Sequence, residues 1–254
     1  MPLVRVLGHR LEVERIAATR PGVPPLLLLH EGLGSVAMWR DFPQRLAERT
    51  GSETIAYSRL GYGKSDRRPA PNLPDYMHKE ALETLPALLD ALGLAEPVLV
   101  GHSDGASIAL IHAGARIRPV RGVVVMAPHV FVEDISIRSI EAAREAFAGT
   151  DLRDRLARYH VDPEHAFRSW NDPWLLPEFR DWNIEEYLPG IDCPVLAIQG
   201  EDDEYGTMAQ LKSIRSHVPH AQIVPLPGCR HSPHRDRPDA VLDRIAAFIA
   251  GAAR

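Results

Sequence analysis

Only two cysteines, Cys193 and Cys229, occur among the 254 residues. Each lies beside an apolar stretch, and two thiols in a chain of this size do not read as a disulfide framework. Positive charge is not in excess. With 29 basic against 34 acidic residues the net charge is −5, which removes the electrostatic reason to expect nucleic acid or an anionic membrane as a partner. No apolar run reaches the length of a membrane span. Met1 to Arg10 lacks the basic head and apolar core of a signal peptide, so the expected setting is cytoplasmic. Metal-ligand spacings of the His-x-x-x-His or Cys-x-x-Cys kind are missing around the candidate residues below, so no metal and no other cofactor is expected. Internal repeats and low-complexity linkers are absent as well.

What remains is an ordinary globular composition, 45% hydrophobic and 25% charged, in a chain long enough for one α/β domain with a substantial core. Apolar runs predict strands near 3–7, 10–18, 26–30, 53–57, 97–102, 121–127, 194–199 and 221–225, the first two forming a hairpin around Gly8-His9. Helical patterns fall near 36–50, 75–93, 103–116, 206–217 and 236–250. Such alternation implies a mostly parallel eight-stranded sheet with helices on both faces. Between Phe131 and Ile191 the alternation stops. No strand stands out there, but Ile140 to Phe147 and Leu152 to His160 are amphipathic, and three of the four tryptophans follow, Trp170, Trp174 and Trp182. An interruption of this length is too long for an ordinary loop. It predicts a small helical cap over residues 131–190, on a core made of 1–130 and 191–254, with Trp170 and Trp174 as apolar walls for a small-molecule substrate.

Chemistry is concentrated at Gly101-His102-Ser103-Asp104-Gly105, which joins the strand-like Pro97 to Val100 to the helix-like Ala106 to Ala113. A strand that doubles back into a helix needs residues without bulky side chains at 101 and 105, and it lifts the Ser103 hydroxyl clear of the sheet. A serine here could merely cap the helix. That role does not predict two later segments. One is an apolar strand ending at Gly200 and followed by Glu201, Asp202 and Asp203; the other is a short strand ending in a loop with His231 and His234. A serine hydroxyl needs a base to become a nucleophile near neutral pH, imidazole has a suitable pKa, and a carboxylate on its other nitrogen fixes the tautomer. His231, just past the strand, is the better placed base.

The order Ser, Asp, His, together with His30-Glu31-Gly32-Leu33-Gly34-Ser35, Arg59-Leu60-Gly61-Tyr62-Gly63-Lys64-Ser65 and the segments above, resembles the α/β-hydrolase family over nearly the whole chain. The resemblance implies that fold and a serine hydrolase acting on a carboxylic ester, amide or thioester. The family's Gly-x-x-Asp register selects Asp203 as the acid, with Asp202 as runner-up. It places the backbone N–H groups of Gly32 and Asp104 in the oxyanion hole, although Glu31 stands where the family usually has glycine, and it treats Arg59 as scaffold. Ser103 to Ile111, Val195 to Gly200 and His231 to His234 are similar to the valacyclovir hydrolase, or biphenyl hydrolase-like, group. There the acid after the nucleophile contacts a substrate amino group. Asp104 therefore has two expected roles, binding a substrate cation or accepting hydrogen bonds at the helix N-terminus. The same triad also serves carbon–carbon bond hydrolysis or lyase chemistry, and a non-catalytic receptor could keep the pocket.

Overall fold

A computed structural model describes residues 2–252. Its single sheet has the order β1-β2-β4-β3-β5-β6-β7-β8. The strands are β1 (Leu3–Val6), β2 (His9–Ile16), β3 (Leu26–Leu29), β4 (Thr54–Tyr57), β5 (Val98–His102), β6 (Gly122–Met126), β7 (Val195–Gly200) and β8 (Gln222–Leu226). β1 pairs antiparallel with β2 and β2 with β4, and every later neighbour is parallel. All eight strands lie within two residues of the sequence reading. The hairpin closes through Leu7 and Gly8, both at positive φ (48° and 85°), the backbone twist that favours tight two-residue loops.

The helices are α1 (Phe42–Thr50), α2 (Tyr76–Lys79), α3 (Leu85–Leu92), α4 (Asp104–Ala115), α5 (Asp134–Gly149), α6 (Leu152–Leu156), α7 (Pro163–Trp174), α8 (Ala209–His217), α9 (Pro233–Asp236) and α10 (Pro238–Ala252). Strand residues alternate between two cores, as the period of two demands. Leu26, Leu28, Val98, Val100, Val124 and Met126 pack with Phe42 and Leu46 of α1 and Leu242, Ile245 and Phe248 of α10. Leu27, Leu29, Leu99, Val123 and Val125 face the opposite layer, with Leu88 of α3 and Ile108 and Leu110 of α4. Since α4 is buried by sheet and helices alike, its residues Asp104 to Ala113 are all inaccessible.

Several helix boundaries differ from the sequence reading. The helix expected over 36–50 is a 3-10 turn (Val36–Trp39) and then α1, because Arg40 takes positive φ (56°) between them. The helix expected over 75–93 contains a π segment, Glu80–Thr84. That widened turn lies just before Pro86, which has no N–H to give to the preceding turn. The helix expected over 206–217 starts at Ala209, whose amide is capped by the Thr207 hydroxyl (3.1 Å). The one expected over 236–250 is divided into α9 and α10. Between β6 and β7 the chain forms α5, α6 and α7 and two 3-10 turns, joined to themselves by a bridge of Phe131 with Asn183. Of these, α7 had no counterpart in the pattern. Among the described residues no helix is long and apolar enough to cross a membrane.

The crossing of β5 into α4 is the tightest point of the fold. A Cβ on Gly105 would stand 2.0 Å from the Leu29 carbonyl oxygen, and one on Gly101 would stand 2.3 Å from that of Gly105. Both obstacles are backbone. Gly105→Ala is therefore expected to destabilise by about 3 kcal/mol or more, the upper range of overpacking penalties, as read from urea denaturation midpoints.

Candidate active site

Ser103 occupies the corner between β5 and α4 with φ 52° and ψ −118°, a conformation that L residues rarely adopt. Holding a residue there costs on the order of 1–3 kcal/mol, and the surrounding contacts must impose it. They do so through the Ser103 amide, which donates to the Met126 carbonyl (2.9 Å), and the Ser103 carbonyl, which accepts from Ala106 (2.8 Å). His231 lies on the loop after β8 and Asp203 on the loop after β7. Both loops leave the same sheet edge as the end of β5, so parallel pairing alone brings them together.

Three residues separated by up to 128 positions form one chain of contacts. Ser103 Oγ is 3.0 Å from His231 Nε2, and His231 Nδ1 is 2.8 Å from Asp203 Oδ1. Asp203 Oδ1 also accepts from the amides of Tyr205 (2.9 Å) and Gly206 (3.3 Å), and Oδ2 accepts from Gln199 Nε2 (3.1 Å). Burial alone would raise its pKa, but the neighbouring His231 and the Tyr205 amide hold it at about 2. For His231, burial disfavours the cation, and Asp203 more than offsets it, so its pKa is raised above the ordinary 6.5. Such an arrangement can take a proton from the serine and stabilise the resulting imidazolium. Glu201 and the runner-up acid Asp202 are exposed, whereas Asp203 is buried. His234 instead packs between Trp39 and Phe42, with ring centroids at 5.0 and 5.4 Å.

A cavity of about 190 Å³ opens onto Ser103 and His231. Its walls include Gly32, Leu33, Ile140, Trp170, Trp174 and Tyr205, so both tryptophans singled out from the sequence stand at the site. Trp170 lies so close over Gly32 that a Cβ there would be 2.0 Å from its Cδ1. Glu31 fits beside Gly32 because Gly34 lacks a Cβ; one at Gly34 would meet the Glu31 carboxylate at 2.6 Å. That carboxylate turns towards His102 Nδ1 (3.5 Å) and Arg235 Nη2 (3.6 Å). Burial would raise its pKa, but His102 and Arg235 beside it hold it well below the usual carboxylate range. The Gly32 and Asp104 amides donate to no protein group among the described residues.

The Asp104 carboxylate does not line the cavity; with a side-chain exposure of 0% its Oδ2 accepts from the Tyr76 hydroxyl (2.5 Å) and lies 3.5 Å from Arg59 Nη2, and its Oδ1 has no hydrogen-bond partner among the described residues. The pattern gave no notice of Tyr76, His129 or Gln199. The His129 ring stands edge-on to Trp174 (5.1 Å) and its Nε2 contacts the Tyr205 carbonyl (3.1 Å), bracing the cavity wall. Nothing local marks these residues, since each acquires its role only from partners far along the chain. Among the described residues no cluster of histidine, cysteine, aspartate or glutamate could hold a metal ion.

Comparison with known proteins agrees with this architecture. The chain is 28% identical to the serine hydrolase BPHL of Homo sapiens over 248 residues, which is 91% of this chain and 80% of that one. It is 23% identical to the sn-1-specific diacylglycerol lipase ABHD11 of Mus musculus, covering 90% of this chain and 81% of the relative. The crystal structure of the enol-lactonase from Burkholderia xenovorans LB400 superposes with a TM-score of 0.77 at 20% identity, over 98% of this chain and all of that one, and so shares the fold. The sequence pattern described as the alpha/beta hydrolase family matches residues 26–244, and on that extent of agreement the chain belongs to that family.

Proposed function

We propose that this protein is a serine hydrolase that cleaves small carboxylic esters through an acyl-enzyme on Ser103. The observation that carries the reading is the continuous contact from Ser103 Oγ through His231 to Asp203 at the floor of the cavity. His231 Nε2 takes the hydroxyl proton as Oγ attacks the carbonyl carbon, and Asp203 keeps Nδ1 protonated throughout. The carbonyl oxygen gains its charge against the amides of Gly32 and Asp104, the latter opening α4 with the positive end of its dipole. His231 then gives its proton to the departing alcohol, and water attacks the acyl group by the same route to release the acid. In this reading residues 131–190 are a cap over a core of 1–130 and 191–254, and the cap supplies Ile140, Trp170 and Trp174 to the acyl site.

Cavity size sets the substrate class. A cavity of about 190 Å³ walled by Trp170 and Trp174 suits a short acyl chain better than a fatty one. The expected result is that kcat/KM for p-nitrophenyl butyrate exceeds that for the dodecanoate by about tenfold or more, and that Trp170→Ala narrows the gap. Equal rates across chain length would refute the size argument. The reading itself is tested by incubating the protein with a fluorophosphonate probe and mapping the mass shift, alongside ester turnover with products identified. Label on Ser103 with acid and alcohol released is expected. Absence of both label and turnover leaves the non-catalytic receptor as the reading.

A further inference from the structure

The peptide that carries the Gly32 N–H has an unusual partner set on its other end. The Glu31 carbonyl oxygen accepts from the Gly34 amide (3.0 Å), from Arg59 Nη2 (2.8 Å) and from His30 Nδ1 (2.7 Å). The tautomer of His30 follows from its other nitrogen: the Arg59 amide donates to Nε2 (3.0 Å), so Nδ1 carries the hydrogen. Burial keeps that ring neutral, its pKa well below the ordinary value. Three donors on one carbonyl, one of them a cation, pull electron density towards the oxygen and make the N–H of the same peptide a stronger donor.

The same guanidinium reaches the other oxyanion donor. Arg59 Nη2 stands 3.5 Å from Asp104 Oδ2, with side-chain exposures of 3% and 0%. Asp104 is held in turn by the Tyr76 hydroxyl, which accepts from Trp174 Nε1 (3.0 Å), and Trp174 lines the cavity. We propose that Arg59 is a positioning residue for the two amides receiving the oxyanion: it fixes and polarises that of Gly32 through the Glu31 carbonyl, and it holds Asp104 in place through its carboxylate. The inference rests on the serine-hydrolase reading above. It gives Arg59 more than the scaffold role expected from the sequence, and it gives a role to the buried carboxylate beside the nucleophile.

The test compares wild type with Arg59→Met and Arg59→Lys on p-nitrophenyl butyrate, with butylboronic acid as a probe that forms a tetrahedral adduct at the serine. Arg59→Met is expected to lower kcat about 100-fold, the scale of losing an oxyanion donor, with KM within about threefold. Boronate affinity should fall in step with kcat, and the acid limb of the pH profile, set by His231, should stay in place. A purely structural role would not split the constants in this way. Folded Arg59→Met with kcat within about threefold of wild type, or with a lower kcat and undiminished boronate affinity, overturns the proposal. If the methionine variant fails to fold, Arg59→Lys decides, because it keeps the charge on a shorter side chain whose nitrogen stops short of the position from which Nη2 reaches both partners. An approximately tenfold loss of kcat and boronate affinity then supports the role, and wild-type values overturn it. Ser103→Ala runs alongside: if it is inactive while the Arg59 variants behave as wild type, only the role of Arg59 fails, whereas an active Ser103→Ala removes the reading beneath it.

Discussion

Replacing Ser103 by alanine is expected to lower ester turnover by about 10⁵-fold or more while leaving the thermal midpoint nearly unchanged. The two halves of this expectation have separate causes. Among the described residues the hydroxyl is the only nucleophile in contact with His231 Nε2, so its loss removes the covalent route. The fold, by contrast, uses the backbone of residue 103: its amide bonds Met126 and its carbonyl bonds Ala106, and alanine keeps both. Ser103 is also only 6% exposed, so the change removes one oxygen from an already crowded corner. Because Ser103 and His231 act as a unit, Ser103→Ala/His231→Ala should be scarcely slower than Ser103→Ala alone. Steady-state kinetics on p-nitrophenyl butyrate with calorimetry on the same samples checks all of this. Substantial turnover by the alanine variant would mean that the chemistry lies elsewhere.

The second large effect is expected at Asp203. Asparagine can present its amide to His231 Nδ1 and so favour the wrong tautomer, with a loss of about 10⁴ in kcat. The pH dependence gives an independent reading of the same contact. His231 must be neutral to act as base, and Asp203 raises its pKa above 6.5, so activity rises with pH through an inflection above that value. Asp203→Asn should move the inflection down. Stability has the opposite sense for the imidazole. A raised pKa in the folded state adds stability that is fully present below 6.5 and is lost as pH rises through the folded value. The depressed carboxylate adds stability above its ordinary 3.8 that is lost as pH falls towards about 2. The pair therefore stabilises most between those ordinary values, on the acid side of its best activity. Urea titrations of wild type and Asp203→Asn from pH 3 to 9 should differ most in that window.

Some of the site is written in short segments. Gly101 and Gly105 flank Ser103 because backbone crosses backbone there, and a local steric demand of that kind leaves a local sequence pattern. Asp203 follows Gly200 at a fixed offset because Gly200 itself packs against the backbone of Cys229 and Arg230, the loop that carries His231. Other features left no such pattern. Asp104 sits where the resemblance expects an amine-binding acid, yet its direction is set by Tyr76 and Arg59, which arrive from a helix and a loop of their own. The break at Arg40 escaped the helical periodicity because apolar spacing runs through it, while a single positive φ ends the helix. α7 escaped for a different reason: its buried stripe of Phe167, Trp170 and Trp174 is interleaved with the buried polar Ser169 and Asn171 and with Pro173, which blur the apolar spacing.

By itself the sequence determined the strand and helix alternation and the strand-to-helix corner at Ser103. Each of these depends on steric rules, periodicity or chemistry confined to a few neighbouring residues. Only the tertiary structure decided which way the Asp104 carboxylate faces, how large the acyl cavity is and what lies behind the Glu31 carbonyl. Those are properties of packing between distant segments, where the low-dielectric interior makes a charge choose whichever partner reaches it, and no spacing along the chain encodes that choice.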